Sequence, residues 1–283
     1  MFPQRLFAVA VLLALTLTGC ATTGLRTESV AVSRSEPRLR ISGSGTVLPL
    51  VEKLVEAYRR ENPAAQFGFE AGTNSGGAIR GVVQGTFDMA VVNRRLEAAE
   101  ASEPLEYSAF ARDALVFAVH RSDPPEGLTS AQIRDVYGGS VTDWRQLGGT
   151  TGPIMVLDRD KDESARKLVL VPLLAGRPVR ARTVTLSTAR DMLAALNDTP
   201  DSLGYTPLGL FRIQQPRNVR VLSLDGVKPG PEEIARGTYP WQLTLGLVTQ
   251  REVPAAARRF LDFVRGPGGR KVLADYGYAP PGD

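Results

Sequence analysis

The chain has 283 residues, 43% of them hydrophobic and 23% charged, a balance that excludes an intrinsically disordered protein. Its formal charge of +4 is spread over short pairs such as Arg94-Arg95 and Arg258-Arg259, which read as solvated faces and not as a nucleic-acid-binding stripe. One histidine, His120, and one cysteine, Cys20, exclude an intrachain disulfide and multi-histidine metal chemistry; no Gly-x-Ser-x-Gly elbow is present, and His120 follows an apolar run as a structural strand-end residue.

In chain order, Arg5 precedes an apolar run over residues 6–17 that ends in Leu17-Thr18-Gly19-Cys20. The run is shorter than the ~20 apolar residues of a spanning helix and has the layout of a secretory leader. Leu-Thr-Gly-Cys resembles the bacterial lipobox, which implies cleavage after Gly19 and acylation of Cys20. The expected product is an extracytoplasmic lipoprotein, held on the periplasmic side of an outer membrane or on the outer face of a plasma membrane. Residues 20–36, rich in Thr, Ser and Arg beyond the cysteine, then form a lipidated tether without apolar periodicity.

From residue 38 short apolar runs alternate with helical patterns, which predicts an α/β fold. Residues 38–42 are a strand. Val47, Leu50, Val51, Leu54, Val55 and Tyr58 follow on one helical face. Residues 65–71 form a second strand, 78–84 a short helix and 87–92 a third strand. Further strands are expected at 114–120, 154–157 and 202–206. Helices are expected from Thr129, the N-cap, through residue 136, from Ser164 after a charged loop at 158–163, and at 187–196, 254–265 and 268–276.

Twice a strand runs through a Gly/Ser/Thr loop into a helix, at Gly43-Ser44-Gly45-Thr46 and at Gly72-Thr73-Asn74-Ser75-Gly76-Gly77. The first turn of a helix carries unpaired N–H groups and partial positive charge, and glycine admits a close ligand. Two such ends facing one cleft would bind an anion; each alone is equally a well-capped helix. Neither is a Walker A loop, because no Gly-Lys-Ser/Thr follows.

Gly43 through Pro49, Gly76-Gly77-Ala78-Ile79, Gly85 through Ala90, Leu128-Thr129 to Tyr137-Gly138-Gly139, Thr142-Asp143-Trp144, Ser202 through Tyr205 and Gly277 through Pro280 together resemble the phosphate-binding (PstS-like) proteins of phosphate ABC transporters. The resemblance covers nearly all of residues 38–280. It implies a type II periplasmic-binding-protein fold, a Venus flytrap with one lobe over 37–113 and 226–283 and the other over 114–225. It also implies inorganic phosphate as ligand, ABC permease subunits as partners, a monomer, no cofactor, no nucleic acid and no enzymatic activity.

Carried over residue by residue, the ligand positions are Gly45, Thr46, Val47 and Leu48 through their amides, Ser75 and Gly76, Asp88 as acceptor for a protonated phosphate oxygen, then Arg159 and Ser164. Ser44, Arg94 and Arg166 are secondary candidates, with Arg94 expected to brace Asp88 or the site. On residue type alone, Asp88 is a carboxylate with solvent or an arginine as partner. The resemblance departs at Arg159-Asp160-Lys161-Asp162-Glu163-Ser164-Ala165-Arg166, where the family has Arg, three residues, then Ser-Gly-Thr-Arg. Without a gap Glu163, Ser164 and Ala165 replace Ser-Gly-Thr, which sets a carboxylate beside a dianion. With one inserted residue Ser164 keeps its place and Arg166 adds a cation. Two rival readings remain: a protein of this fold with another ligand or a sensing role, and an enzyme using carboxylates of residues 158–163.

Overall fold

The computed structural model describes residues 38–70, 73–122, 124–150 and 152–282. The leader, Cys20 and the tether lie outside them. Strand β1 (Leu39–Gly43) leads into helix α1 (Leu48–Glu61), and all six apolar residues of the stripe from Val47 to Tyr58 are buried. Pro49 occupies the first turn, where its missing N–H forfeits no helical hydrogen bond. Strand β2 (Phe67–Glu70), helix α2 (Ser75–Val83) and strand β3 (Met89–Val92) follow. Helix α2 begins at Ser75 and not at Ala78, because the Asn74 side chain accepts Gly77 N–H at 2.8 Å and recruits Ser75-Gly76-Gly77 as its first turn.

Helix α3 (Ala98–Ala101) precedes strand β4 (Leu105–His120). The chain continues through β5 (Gly127–Leu128), α4 (Ser130–Gly138), β6 (Met155–Arg159), α5 (Ser164–Leu173), β7 (Thr183–Leu186), α6 (Ala189–Asp198), β8 (Ser202–Pro207) and α7 (Leu208–Gln214). It ends with β9 (Val219–Val221), β10 (Ser223–Leu224), α8 (Pro231–Arg236), β11 (Gln242–Gln250), α9 (Ala255–Arg265) and α10 (Pro267–Asp275). Thr129 caps α4 through Gln132 N–H, as its position before the apolar pattern implies. Among the described residues no helix is long and apolar enough to cross a membrane.

The main sheet runs β2-β1-β3-β11-β4-β8-β6-β7, with β9 also on β4. Strand β1 is parallel to β2 and β3, and β6 is parallel to β7 and β8. Between these parallel halves lies β4, 16 residues long. As far as Ala114 it pairs antiparallel with β11, and from Leu115 onward with β8. One continuous core serves both halves. On one side Tyr58 meets Phe67, Phe260 and Phe263 edge to face while Phe260 and Phe263 stack, and Phe117 meets Tyr205 and Trp241 on the other.

Asp113 sits where β4 changes partner. Its carboxylate is buried and accepts Ala114 N–H at 2.8 Å and Gly209 N–H at 3.1 Å, the latter from the first turn of α7. Burial drives its pKa up to about 7, against the two backbone hydrogen bonds and the charge of Arg212, which favour the anion; Tyr278 also lies within its field. Unfolded, the group returns to 3.8, so its stability contribution is full below that value and is lost as pH rises through 7. We expect Asp113→Asn, which keeps an acceptor for Gly209, to exceed the parent in stability at about pH 8 by on the order of 1–4 kcal/mol. Urea titrations should show its pH slope flattened; an unaltered slope would contradict the buried carboxylate.

Candidate functional site

In an open parallel sheet, ligands collect at the carboxyl ends of strands where the order reverses. Here β1 lies between β2 and β3, and β6 lies between β7 and β8. The carboxyl ends of both sets line one cleft, made of adjoining cavities of about 730 and 700 Å³ that share Asn74, Asp162 and Ser164. Ser44, Gly45 and Leu48 after β1, and Ser75 after β2, face Arg159 and Ser164 after β6. Gly76, Asn93 and Arg94 complete the first wall. An ion pair crosses the cleft as well, from Arg190 on α6 to Glu52 on α1 at 2.6 Å.

The loop into α1 spends most of its donors on itself. Ser44 O accepts Val47 N–H at 2.9 Å and Leu48 N–H at 3.0 Å, Ser44 N–H goes to Val91 O, and Thr46 N–H leans on the Ser44 hydroxyl at 3.3 Å. Gly45 keeps its N–H without a partner among the described residues. The expectation that the amides of Val47 and Leu48 serve a ligand is therefore corrected: both close the turn that starts the helix. Thr46 and Val47 are buried and do not line the cleft, and the Thr46 hydroxyl is buried without a partner.

Helix α2 is the better-equipped end. Asn74 takes Gly77 N–H with its side chain and Ala78 N–H with its carbonyl, which leaves Ser75 and Gly76 N–H without partners among the described residues. A methyl carbon at position 76 would come within 3.6 Å of guanidinium nitrogens of both Arg80 and Arg94, so two cations converge on this helix start. Arg94 is held by Glu100 at 2.6 and 2.8 Å, a pairing that raises the guanidinium pKa and lowers that of the carboxyl. Arg80 has no direct carboxylate partner among the described residues. Asn93, at the end of β3, is buried; its Oδ1 accepts from the Ser75 hydroxyl at 2.9 Å, and its Nδ2 has no partner.

Asp88 is elsewhere. It precedes β3, whereas Asn93 follows it, a separation of roughly 17 Å at strand rise. Its carboxylate accepts Arg40 N–H at 2.7 Å and the Arg40 guanidinium at 2.9 and 3.2 Å. Burial pushes its pKa up, but the hydrogen bonds and charge of Arg40 outweigh that and hold it below the ordinary value. The expected role of Asp88 as a ligand acceptor is corrected by this pairing; of the two places expected for Arg94, it does not brace Asp88 but binds Glu100 and lines the cavity.

On the opposite wall, the Glu163 carboxylate caps α5 by accepting Arg166 N–H at 3.0 Å and lies 3.8 Å from the Arg159 guanidinium. It fills a helix start that would otherwise attract an anion. Arg159 is buried in the wall and donates to Leu186 O and Ser187 O, each at 3.1 Å. Arg166 turns away from the cleft to the Asp158 carboxylate at 3.0 Å, which also accepts from the Tyr205 hydroxyl at 2.9 Å. The reading of Arg166 as an extra ligand cation is thus corrected. Ser164 remains, lining both cavities. The contributions missed in the sequence are Asn93, Asn74 and Arg80; their one signal is position, at a strand's carboxyl end or on the first turns of α2.

A family model described as a PBP superfamily domain matches residues 27–266. The phosphate-binding protein PstS of Bacillus subtilis (strain 168) is 27% identical over 249 residues, 87% of this chain and 81% of that protein. PstS of Borreliella burgdorferi is 23% identical over 252 residues, 86% of this chain and 90% of that protein. Among solved structures, a Clostridium perfringens protein with bound phosphate superposes with a TM-score of 0.76 at 22% identity, covering 87% of this chain and 100% of the other. An ABC-type phosphate transport receptor from Vibrio cholerae gives 0.65 at 23%, covering 86% and 100%. These likenesses establish the fold as that of type II periplasmic binding proteins.

The Asp158–Arg166 pair separates a structural role from a ligand role. Removing one partner strands a buried charge, so Arg166→Ala should destabilise the protein by about 3–5 kcal/mol in urea unfolding. A loss under about 1 kcal/mol would place the pair among exposed ones of little consequence.

Proposed function

The chain belongs to the PBP superfamily, and from that premise we propose that it is an extracytoplasmic binding protein that captures phosphate between two lobes for an ABC importer. The lobes of this reading are residues 37–113 with 226–283 and residues 114–225. Hinge closure where β4 changes partner would carry Ser164 toward α2. Cys20 supplies the lipid that holds the protein at the membrane, and the permease subunits meet the closed monomer. The relatives named as phosphate-binding proteins support the choice of ligand.

The observation that carries the reading is the start of α2. Two free amides at Ser75 and Gly76, the Asn93 side-chain amide and the guanidinium groups of Arg80 and Arg94 gather there. Such a set suits a small oxyanion: the helix end and two cations supply charge, and the amides supply directed donors. Gly45 and Ser164 extend it along the cleft, and Arg159 lends charge from the far wall. None of this requires a catalytic group, and the carboxylates of residues 158–163 are engaged in capping, in the Arg166 pair or at the exposed rim. Glu163 is a carboxylate at the start of α5, where it accepts Arg166 N–H and lies beside the Arg159 guanidinium.

Calorimetry on the detergent-solubilised full-length protein should give a phosphate Kd of about 1 μM or tighter. Arg80→Gln should weaken binding about tenfold, the worth of one charge-assisted hydrogen bond at a partly exposed site. Absence of heat with phosphate would end this reading. The mass of the N-terminal peptide tests acylation of Cys20 independently.

A further inference from the structure

We infer that Asn93 makes the cleft a receptor for tetrahedral dianions as a class, so that it accepts sulfate alongside phosphate; the inference rests on the oxyanion reading above. Asn93 lines the cavity beside Gly76 and is only 4% exposed. The Ser75 hydroxyl accepts Asn93 N–H at 3.4 Å and has one proton to give, which goes to Asn93 Oδ1 at 2.9 Å. That leaves Nδ2, on a residue that lines the cavity, as a buried donor without a partner among the described residues. A buried N–H group is costly unless it meets an acceptor, and a ligand oxygen carrying lone pairs is one.

The groups at the start of α2 itself are donors as well: Ser75 and Gly76 N–H and the guanidinium groups of Arg80 and Arg94. The nearby carboxylates are engaged. Glu100 and Glu97 flank Arg94 at 2.6 and 3.5 Å, and Asp162 on the facing wall is 3.7 Å from Lys167. A ligand oxygen that bears a proton meets only donors at the start of α2, whereas an unprotonated one is well matched to them. Hydrogenphosphate fits by presenting its ionised oxygens and turning its single hydroxyl outward. Sulfate, with no proton at all, fits in any orientation. A carboxylate in the Asn93 position would reverse this logic, because it repels an oxyanion that has no proton to offer.

The test is a pair of calorimetric titrations, phosphate and sulfate, at about pH 8 on the full-length solubilised protein and on Asn93→Asp. The inference expects sulfate to bind the parent protein within about tenfold of phosphate. It expects Asn93→Asp, which replaces a donor by a carboxylate, to weaken both anions but sulfate more, so that the ratio of sulfate to phosphate affinity falls by about tenfold or more; an unchanged ratio would overturn the inference. Phosphate binding by the parent with sulfate rejected a hundredfold would overturn the inference and leave the phosphate reading standing. Binding of neither anion would overturn both. The parent's sulfate titration decides without any variant, so a poorly folded Asn93→Asp does not rescue the idea.

Discussion

The arrangement of the molecule depends on one strand belonging to two half-sheets. Strand β4 runs for 16 residues, antiparallel to β11 as far as Ala114 and to β8 from Leu115. A strand carries its direction and twist with it, so both half-sheets inherit a fixed relation from it. The parallel triplets β2-β1-β3 and β8-β6-β7 therefore turn their carboxyl ends toward one cleft. Asp113 fastens the changeover by binding the first turn of α7. A core shared through Phe117, Tyr205 and Trp241 keeps the second half against it.

Within the cleft several helix starts compete for negative charge, and the chain has already answered those of α1 and α5. The α1 loop folds its amides onto Ser44 O. Helix α5 is capped by the carboxylate of Glu163, backed by Arg159. At α2 the amides of Ser75 and Gly76 are without partners among the described residues and two guanidinium groups converge on them: Arg94 is paired with Glu100 and Glu97, and Arg80 has no direct carboxylate partner among the described residues. The electrostatic argument thus concentrates an incoming anion at Ser75 and Gly76 and lets Gly45 and Ser164 act as flanking contacts.

Much of this was legible in the residues. The stripe from Val47 to Tyr58 has only one way to be buried, and the Gly/Ser loops could only be turns before helices. The first part of β4 was not legible, because Glu106, Ser108, Arg112 and Asp113 interrupt its apolar pattern and only pairing with β11 makes it a strand. Asp88 misled for a related reason. Its partner Arg40 is distant in sequence, and the parallel register that aligns Ile41 with Met89 brings the two together. Asn93 attracted no notice, since an asparagine after an apolar run is ordinary turn chemistry; only its burial against Ser75 gives it meaning. The fate of Arg166 likewise depended on how far β6 extends, for Asp158 and Arg159 belong to the strand and not to the charged loop.

The central claim is that the start of α2 holds the anion, and a crystal structure grown with phosphate examines it most directly. The account predicts tetrahedral density within hydrogen-bonding distance of Ser75 N, Gly76 N and Asn93 Nδ2, facing Ser164, with Asp88 still on Arg40. Density seated instead at the amides of Val47 and Leu48, or against Asp88, would contradict it.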